Sequence, residues 1–311
     1  MSKPTFIAGD WGSSNLRLYL CSAAPDQAAQ LLDTRHGPGV LAMEGDFEDK
    51  FFDLANDWLR ENGALPIILS GMVSSNLGWK ETTYLTCPLS SVDIAAGVKQ
   101  FTARGHTIWI LQGVSTTNPF GLNDVMRGET LQVLGWLQHA SKNGDGQHLL
   151  TFPGTHNKWV LMQDAQLKTF LTAFTGELFG LLRSHSTLSE QAGTFDFDHE
   201  AFMLGVQTLA DSKGRPLLNT LFSVRSRQVL GELVETQSLS YLLGQLVAAD
   251  VLSALDAFPN IQSITVIGEQ KISDQYESAL KHFDREVICV NSDQIAVNGF
   301  GAVYGALQIN S

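Results

Sequence analysis

Two short stretches of this 311-residue chain read alike. Residues 10–17 are DWGSSNLR and residues 152–159 are FPGTHNKW. Laid one on the other, Gly12 meets Gly154, Ser13 meets Thr155 and Asn15 meets Asn157. Apolar runs flank each: TFIAGD (5–10) and LRLYLC (16–21) around the first, HLLTF (148–152) and KWVLM (158–162) around the second. A strand, a glycine turn and a strand, once in each half, predicts a duplicated two-domain α/β fold that clamps a nucleotide. Glycine lets backbone N–H groups come close to a phosphate, and the adjacent hydroxyl adds a donor. Phosphoryl transfer is the chemistry this layout points to.

The element order supports duplication. QLLDTR (30–35) reads as a third strand, and residues 46–61 as a helix capped by Asp46 and ended by Asn62-Gly63. PIILS (66–70) and TIWILQ (107–112) are strands on either side of a loop-rich stretch, 71–105, and a helix is predicted over 122–138. The second half adds LKTFLT (167–172), a helical insertion over 176–235, a helix over 238–256, SITVIG (263–268), a helix over 274–283, EVICV (286–290) and a helix over 293–308. Turn formers in SKNGDGQ (141–147) put the boundary between a domain 1–141 and a domain 147–311. The final helix is expected to pack back on the first domain.

The length suits two domains. A net charge of −12 leaves no basic stripe for a nucleic-acid partner. An acidic chain that handles anions must gather its cations locally, and Arg17, Lys80, Arg127, Lys158 and Arg183 are the candidates. Cys21, Cys87 and Cys289 are odd in number and far apart, which argues against a disulfide framework or a zinc site. Met1 leads straight into a strand with no signal peptide, and Asp250 interrupts the longest apolar helix, 239–257. A cytoplasmic protein without a membrane partner is expected.

Asp10 ends the first strand beside the first turn, where one carboxylate can hold Mg²⁺ together with substrate phosphates; the plainer reading is a turn cap. Gly12, Ser13, Ser14, Asn15 and Arg17 form the first candidate phosphate loop, and Gly154, Thr155, His156 and Lys158 the second. Asn123-Asp124 falls at the expected start of helix 122–138, where both are favoured caps and where a carboxylate can take a hydroxyl proton. Glu129, about one turn on, is the rival base, and Arg127 lies between them. Gly268, ending a strand, lets an adenine ring lie flat, with Lys271 and Ser273 nearby. The small residues of AVNGFGAVYGAL (296–307) are explained by close helix packing.

Together DWGSSNLR, SGMVSSNLGWK (70–80), NDVMRGETLQ (123–132), PGTHNKWV (153–160) and TGEL (175–178) resemble the 2-dehydro-3-deoxygalactonokinase family. That family belongs to the sugar kinase, Hsp70 and actin superfamily. The resemblance implies two ribonuclease-H-like (actin-like ATPase) domains with a central interdomain cleft. It implies ATP- and Mg²⁺-dependent phosphorylation of 2-dehydro-3-deoxy-D-galactonate at its 6-hydroxyl, in galactonate catabolism. Asn123-Asp124 is similar to the Asn-Asp pair of bacterial glucokinases, whose Asp is the base, which favours Asp124 by analogy. Val266-Ile267-Gly268 is similar to the adenosine motif but lacks its second glycine. On the sugar-acid side the expectation is Ser70, Met72, Ser75, Asn76, Gly78, Trp79 and Lys80, with Arg127 and Glu129. Lys80 or Arg127 is expected to meet the substrate carboxylate. The insertion 176–235 offers a homodimer interface. Competing readings are a phosphohydrolase of the exopolyphosphatase kind with Glu129 positioning water, a kinase of an epimeric 2-keto-3-deoxy acid, and a non-catalytic ATP-dependent regulator.

Overall fold

A computed structural model of the chain describes residues 3–23, 28–139, 146–188, 195–212 and 217–309. The opening runs form an antiparallel meander of β1 (Phe6–Trp11), β2 (Asn15–Ser22) and β3 (Gln30–Pro38). Helix α1 (Phe47–Asn62) starts where the Asp46 carboxylate accepts the N–H groups of Glu48 and Asp49. It stops at Gly63, whose φ of 79° a side chain would resist. Strand β4 (Ile67–Gly71) then runs parallel to β1.

Residues 71–105, expected to be loop-rich, carry short elements: β5 (Tyr84–Thr86), β6 (Leu89–Ser90), α2 (Ser91–Ala96) and β7 (Val98–Ala103). Strand β8 (His106–Leu111) lies parallel to β4, and β7 turns back along it. Then follow β9 (Gly113–Thr117), β10 (Asn123–Met126) and α3 (Gly128–His139). The helix expected from residue 122 is thus shorter. Asn123 to Met126 pair with Thr117 to Val114 of β9, so tertiary pairing overrides the capping preference of Asn and Asp.

The second half gives β11 (Gln147–Phe152), β12 (Asn157–Gln163), β13 (Gln166–Ala173), α4 (Thr175–His185), α5 (His199–Ala210), α6 (Leu217–Leu221) and α7 (Ser223–Val229). It closes with α8 (Glu235–Ala257), β14 (Ser263–Gly268), α9 (Gln270–His282), β15 (Glu286–Asn291) and α10 (Ser292–Ile309). One large sheet has the order β3-β2-β1-β4-β8-β7, and the other β15-β14-β11-β12-β13-β6. Without their added edge strands, β7 and β6, both follow one wiring: first strand central, second and third on one side, fourth and fifth on the other.

Two compact units result: Met1–Gln147 with Leu161–Phe170 and Asn291–Ser311, and His148–Val160 with Leu171–Val290. Of the boundary run 141–147, residues 141–145 lie outside the described residues. In the first unit Trp11, Leu16, Phe51, Trp58 and Leu69 share one core. Here α10 crosses α3 with backbones nearly touching: a Cβ on Gly135 would stand 1.9 Å from the Ile295 carbonyl oxygen, and one on Gly299 2.3 Å from that of Leu131. Overpacking costs about 1–3 kcal/mol where neighbours can move, and backbone moves least. Gly135→Ala is therefore expected to lower stability by at least about 2 kcal/mol in urea unfolding. A change below about 0.5 kcal/mol, the range of an indifferent surface site, would disprove the tight crossing.

In the second unit α8 lies on α5, with Gly205 and Gly244 each against a carbonyl of the opposite helix. Helix α8 is long and apolar enough to span a membrane, but most of it is buried within the fold. The three cysteines are unbridged.

Candidate active site

Asp10 is the penultimate residue of β1, in register with Arg17 on β2 and Ser70 on β4. Arg17 donates to the Asp10 carboxylate at 3.2 Å and to Asp293, in the first turn of α10, at 2.8 Å. The Tyr19 hydroxyl also donates to Asp293, at 3.3 Å. Burial pushes the Asp10 carboxyl above the ordinary carboxylate range; the Arg17 guanidinium opposes this and the Glu129 carboxylate adds to it.

That influence of Glu129 on Asp10 reflects how the backbone converges. Gly71 ends β4 with φ at 99°, and a Cβ there would lie 2.6 Å from the Trp11 carbonyl oxygen. A Cβ on Gly128 would meet the Gly71 Cα at 3.7 Å and the Asp10 Oδ1 at 3.8 Å. The ends of β1 and β4 and the start of α3, with Glu129 in its first turn, therefore form one wall. Ser70 and Thr130 on this wall are fully buried, and their hydroxyls have no partner among the described residues. Beside them the first turn is closed by Gly12 N–H to Asn15 O at 2.9 Å. It is braced by Val40 N–H to Gly12 O at 2.9 Å and Leu41 N–H to Ser13 O at 3.1 Å. Ser14 and Asn15 are exposed.

The side expected to meet the sugar acid differs from expectation at Arg127, Trp79 and Met72. Arg127 is buried: its Nη1 donates to the Ser74 carbonyl oxygen at 2.7 Å, the Ser74 hydroxyl at 2.9 Å and the Thr82 hydroxyl at 3.2 Å. Its guanidinium also lies 4.3 Å over the Tyr84 ring. It fastens loop 71–84 to the start of α3 and is not offered to a substrate carboxylate. Trp79 packs on Phe51 and Phe101, with ring centroids 5.8 and 5.2 Å away, and belongs to the core, as does much of Met72. Gly78 is needed because a Cβ would stand 2.2 Å from the Val73 carbonyl oxygen. The Ser75 hydroxyl accepts the Leu77 N–H at 3.2 Å, and Asn76 and Lys80 are exposed. Asp124 is not at a helix start: it pairs with Thr116 across β10 and β9, and its carboxylate accepts the Val125 N–H at 2.8 Å and the Asn118 amide at 3.4 Å.

In the second unit, Thr155 and His156 are exposed at the turn between β11 and β12. The turn is held from behind by α4. The Thr155 carbonyl oxygen accepts the Glu177 N–H at 2.9 Å, and Gly176 lies so near Gly154 that a Cβ would be 2.3 Å from its carbonyl oxygen. His156 meets the Glu177 carboxylate at 2.5 Å and stacks on Phe174. Lys158 is buried and donates to the His156 carbonyl oxygen at 3.0 Å. Asn157 is no functional twin of Asn15: it is fully buried, accepts the Thr151 hydroxyl at 2.9 Å and donates to Asp250 at 2.9 Å.

Asp250 therefore does more than interrupt an apolar helix. Burial raises its carboxyl above the ordinary range, while hydrogen bonds from Tyr276, Asn157, Trp159 and Thr175 pull it back in part. Strands β11 and β14 are parallel neighbours, so the 153–157 turn and Gly268 leave the sheet at the same end, where open α/β sheets bind ligands. A Cβ on Gly268 would be 3.0 Å from the Ser273 hydroxyl and 3.7 Å from Pro153; that hydroxyl is buried without a partner among the described residues. Lys271 is exposed, and Arg183 lies 5.5 Å over Phe195.

The chain matches the sequence model of the 2-keto-3-deoxy-galactonokinase family over residues 10–303. It belongs to that family. It is 32% identical to the 2-dehydro-3-deoxygalactonokinase of Escherichia coli (strain K12) over 304 residues, covering 97% of this chain and 98% of the relative. A Sinorhizobium meliloti crystal structure named for the same activity superposes with a TM-score of 0.84 at 30% identity, over 97% of this chain and 99% of that one. Component A of the (R)-2-hydroxyglutaryl-CoA dehydratase of Acidaminococcus fermentans shares the fold alone, at a TM-score of 0.52 and 10% identity over both full chains. The chain is thus a sugar-acid kinase with an actin-like ATPase fold.

Proposed function

We propose that this kinase transfers the γ-phosphoryl group of ATP to the 6-hydroxyl of 2-dehydro-3-deoxy-D-galactonate, in the cytoplasm. What carries the reading is the Asp10–Glu129 wall: a carboxylate at a strand end next to a glycine turn, and a second in the first turn of α3 near enough to raise the first one's proton affinity, in a chain of this family. Glu129 takes the proton of the attacking hydroxyl. The criterion that first favoured Asp124, a carboxylate at the start of the helix after the fifth strand, selects Glu129 once that helix begins at Gly128. Asp124 remains the alternative, on its similarity to the glucokinase pair.

Asp10 suits Mg²⁺: one desolvated carboxylate gains from a cation, and the orphaned Ser70 hydroxyl stands ready for a bound water. Bound there, the ion would offset charge on the phosphates. In the first unit the 12–15 turn serves the phosphates, and Ser70, Ser75, Asn76 and Lys80 the sugar acid. In the second, the 153–157 turn serves the phosphates and Gly268 the adenine.

A coupled ADP-release assay over 2-keto-3-deoxy acids and plain hexoses tests the assignment. ADP release is expected only with a sugar acid, and fastest with the galactonate-derived one. Faster turnover of the epimeric acid would reassign the substrate. Phosphate release at a rate indifferent to added acid would replace the kinase by a hydrolase.

A further inference from the structure

Asp250 is 5% exposed within α8, and among the described residues the hydrogen bonds to its carboxylate come from neutral donors. Trp159 Nε1 donates at 2.6 Å, the Asn157 amide at 2.9 Å, the Thr175 hydroxyl at 2.8 Å and the Tyr276 hydroxyl at 2.6 Å. A buried carboxylate is costly to keep, and an apolar residue of like volume is often the more stable choice. The donors suggest what the cost secures. Asn157 closes the 153–157 turn. Thr175 opens α4, whose next two residues hold that turn through Gly176 against Gly154 and Glu177 N–H on the Thr155 carbonyl oxygen. Tyr276 sits on α9, the helix that follows Gly268. Three segments from separate parts of the chain thus converge on one carboxylate.

We propose that Asp250 is a positioning residue that fixes the phosphate turn relative to the adenine-side helix, and so sets nucleotide affinity. The proposal rests on the kinase reading of the 153–157 turn. It differs from a purely structural role in what it predicts for single spokes. Thr175→Val keeps the shape of the side chain and loses the hydroxyl; Thr175→Ser keeps the hydroxyl; Tyr276→Phe removes only the other hydroxyl.

The test is the Kd of Mg–ADP for the full-length protein by calorimetric titration, with steady-state KM values and a thermal melt for each variant. Thr175→Val and Tyr276→Phe are each expected to weaken ADP binding and raise the KM for ATP about tenfold, while the KM for the sugar acid moves less than twofold. Thr175→Ser should return the affinity to within about threefold of wild type. Lower melting temperatures with unchanged Kd for ADP would overturn the proposal, as would an equal loss in the Ser variant. Because ADP binding needs no sugar acid, a wild-type protein that binds ADP but phosphorylates nothing would fault the substrate assignment alone. A wild-type protein that binds no ADP would remove the nucleotide reading and this proposal with it.

Discussion

Glu129→Gln is expected to lower kcat by about 10²–10⁴-fold, the usual contribution of a positioned general base. Gln matches Glu in size and still hydrogen-bonds, but it cannot take the proton of the attacking hydroxyl. Because phosphoryl transfer depends mainly on positioning and charge, the KM values for ATP and sugar acid should change only a few-fold. The same change removes one of the charges that push Asp10 up. Asp124→Asn is expected to cost at least tenfold less in kcat, because Asp124 lies in a strand of the three-stranded sheet and accepts a hydrogen bond from its own neighbour Val125. Steady-state kinetics on both variants, each with a native near-ultraviolet circular dichroism spectrum, decide between them. A larger loss in Asp124→Asn would move the base to β10 and revive the glucokinase analogy.

The contrast between Asp124 and Glu129 shows which signals a sequence carries. Strands such as Ile67–Gly71 and Ser263–Gly268 were legible because a buried strand needs a short apolar run, and that signal is local. Helix α1 was legible from its apolar spacing together with Asp46 and Gly63 at its ends. Asn123-Asp124 carried an equally local signal, a cap, but strand β9 offered these residues a ladder that no neighbouring residue announces. Arg127 and Trp79 read as site residues from type and position alone. Their real partners, Ser74, Thr82, Phe51 and Phe101, are 22 to 53 residues away. Asp250 is the extreme case, with donors 26 to 93 residues distant, so that its only trace in the sequence is a charge where an apolar helix should have none. That trace is itself a usable sign: a lone carboxylate inside a buried helix requires donors and points to a network.

Asp10→Asn is expected to abolish most turnover without weakening the fold, and the two halves of that expectation have one cause. Burial raises the Asp10 carboxyl, so the folded protein holds this proton more tightly than the unfolded chain does. The resulting stability is complete below the unfolded value, near 3.8, and is lost as pH rises through the raised folded value. Once ionised above that value the buried carboxylate is a cost, tolerated for the cation and phosphates it serves. Asn has the shape of the neutral acid and avoids that cost, while Arg17 keeps its 2.8 Å bond to Asp293. The variant should melt no lower than wild type at pH 7, and its relative advantage should grow as pH rises from about 3.8, where the unfolded chain's carboxyl ionises, to the raised value of the folded protein. Its kcat/KM for ATP should fall about 10³-fold, or ~4 kcal/mol of lost charge stabilisation. A melting temperature well below wild type at pH 7 would instead make Asp10 chiefly the ion-pair partner of Arg17, and the metal would need another carboxylate.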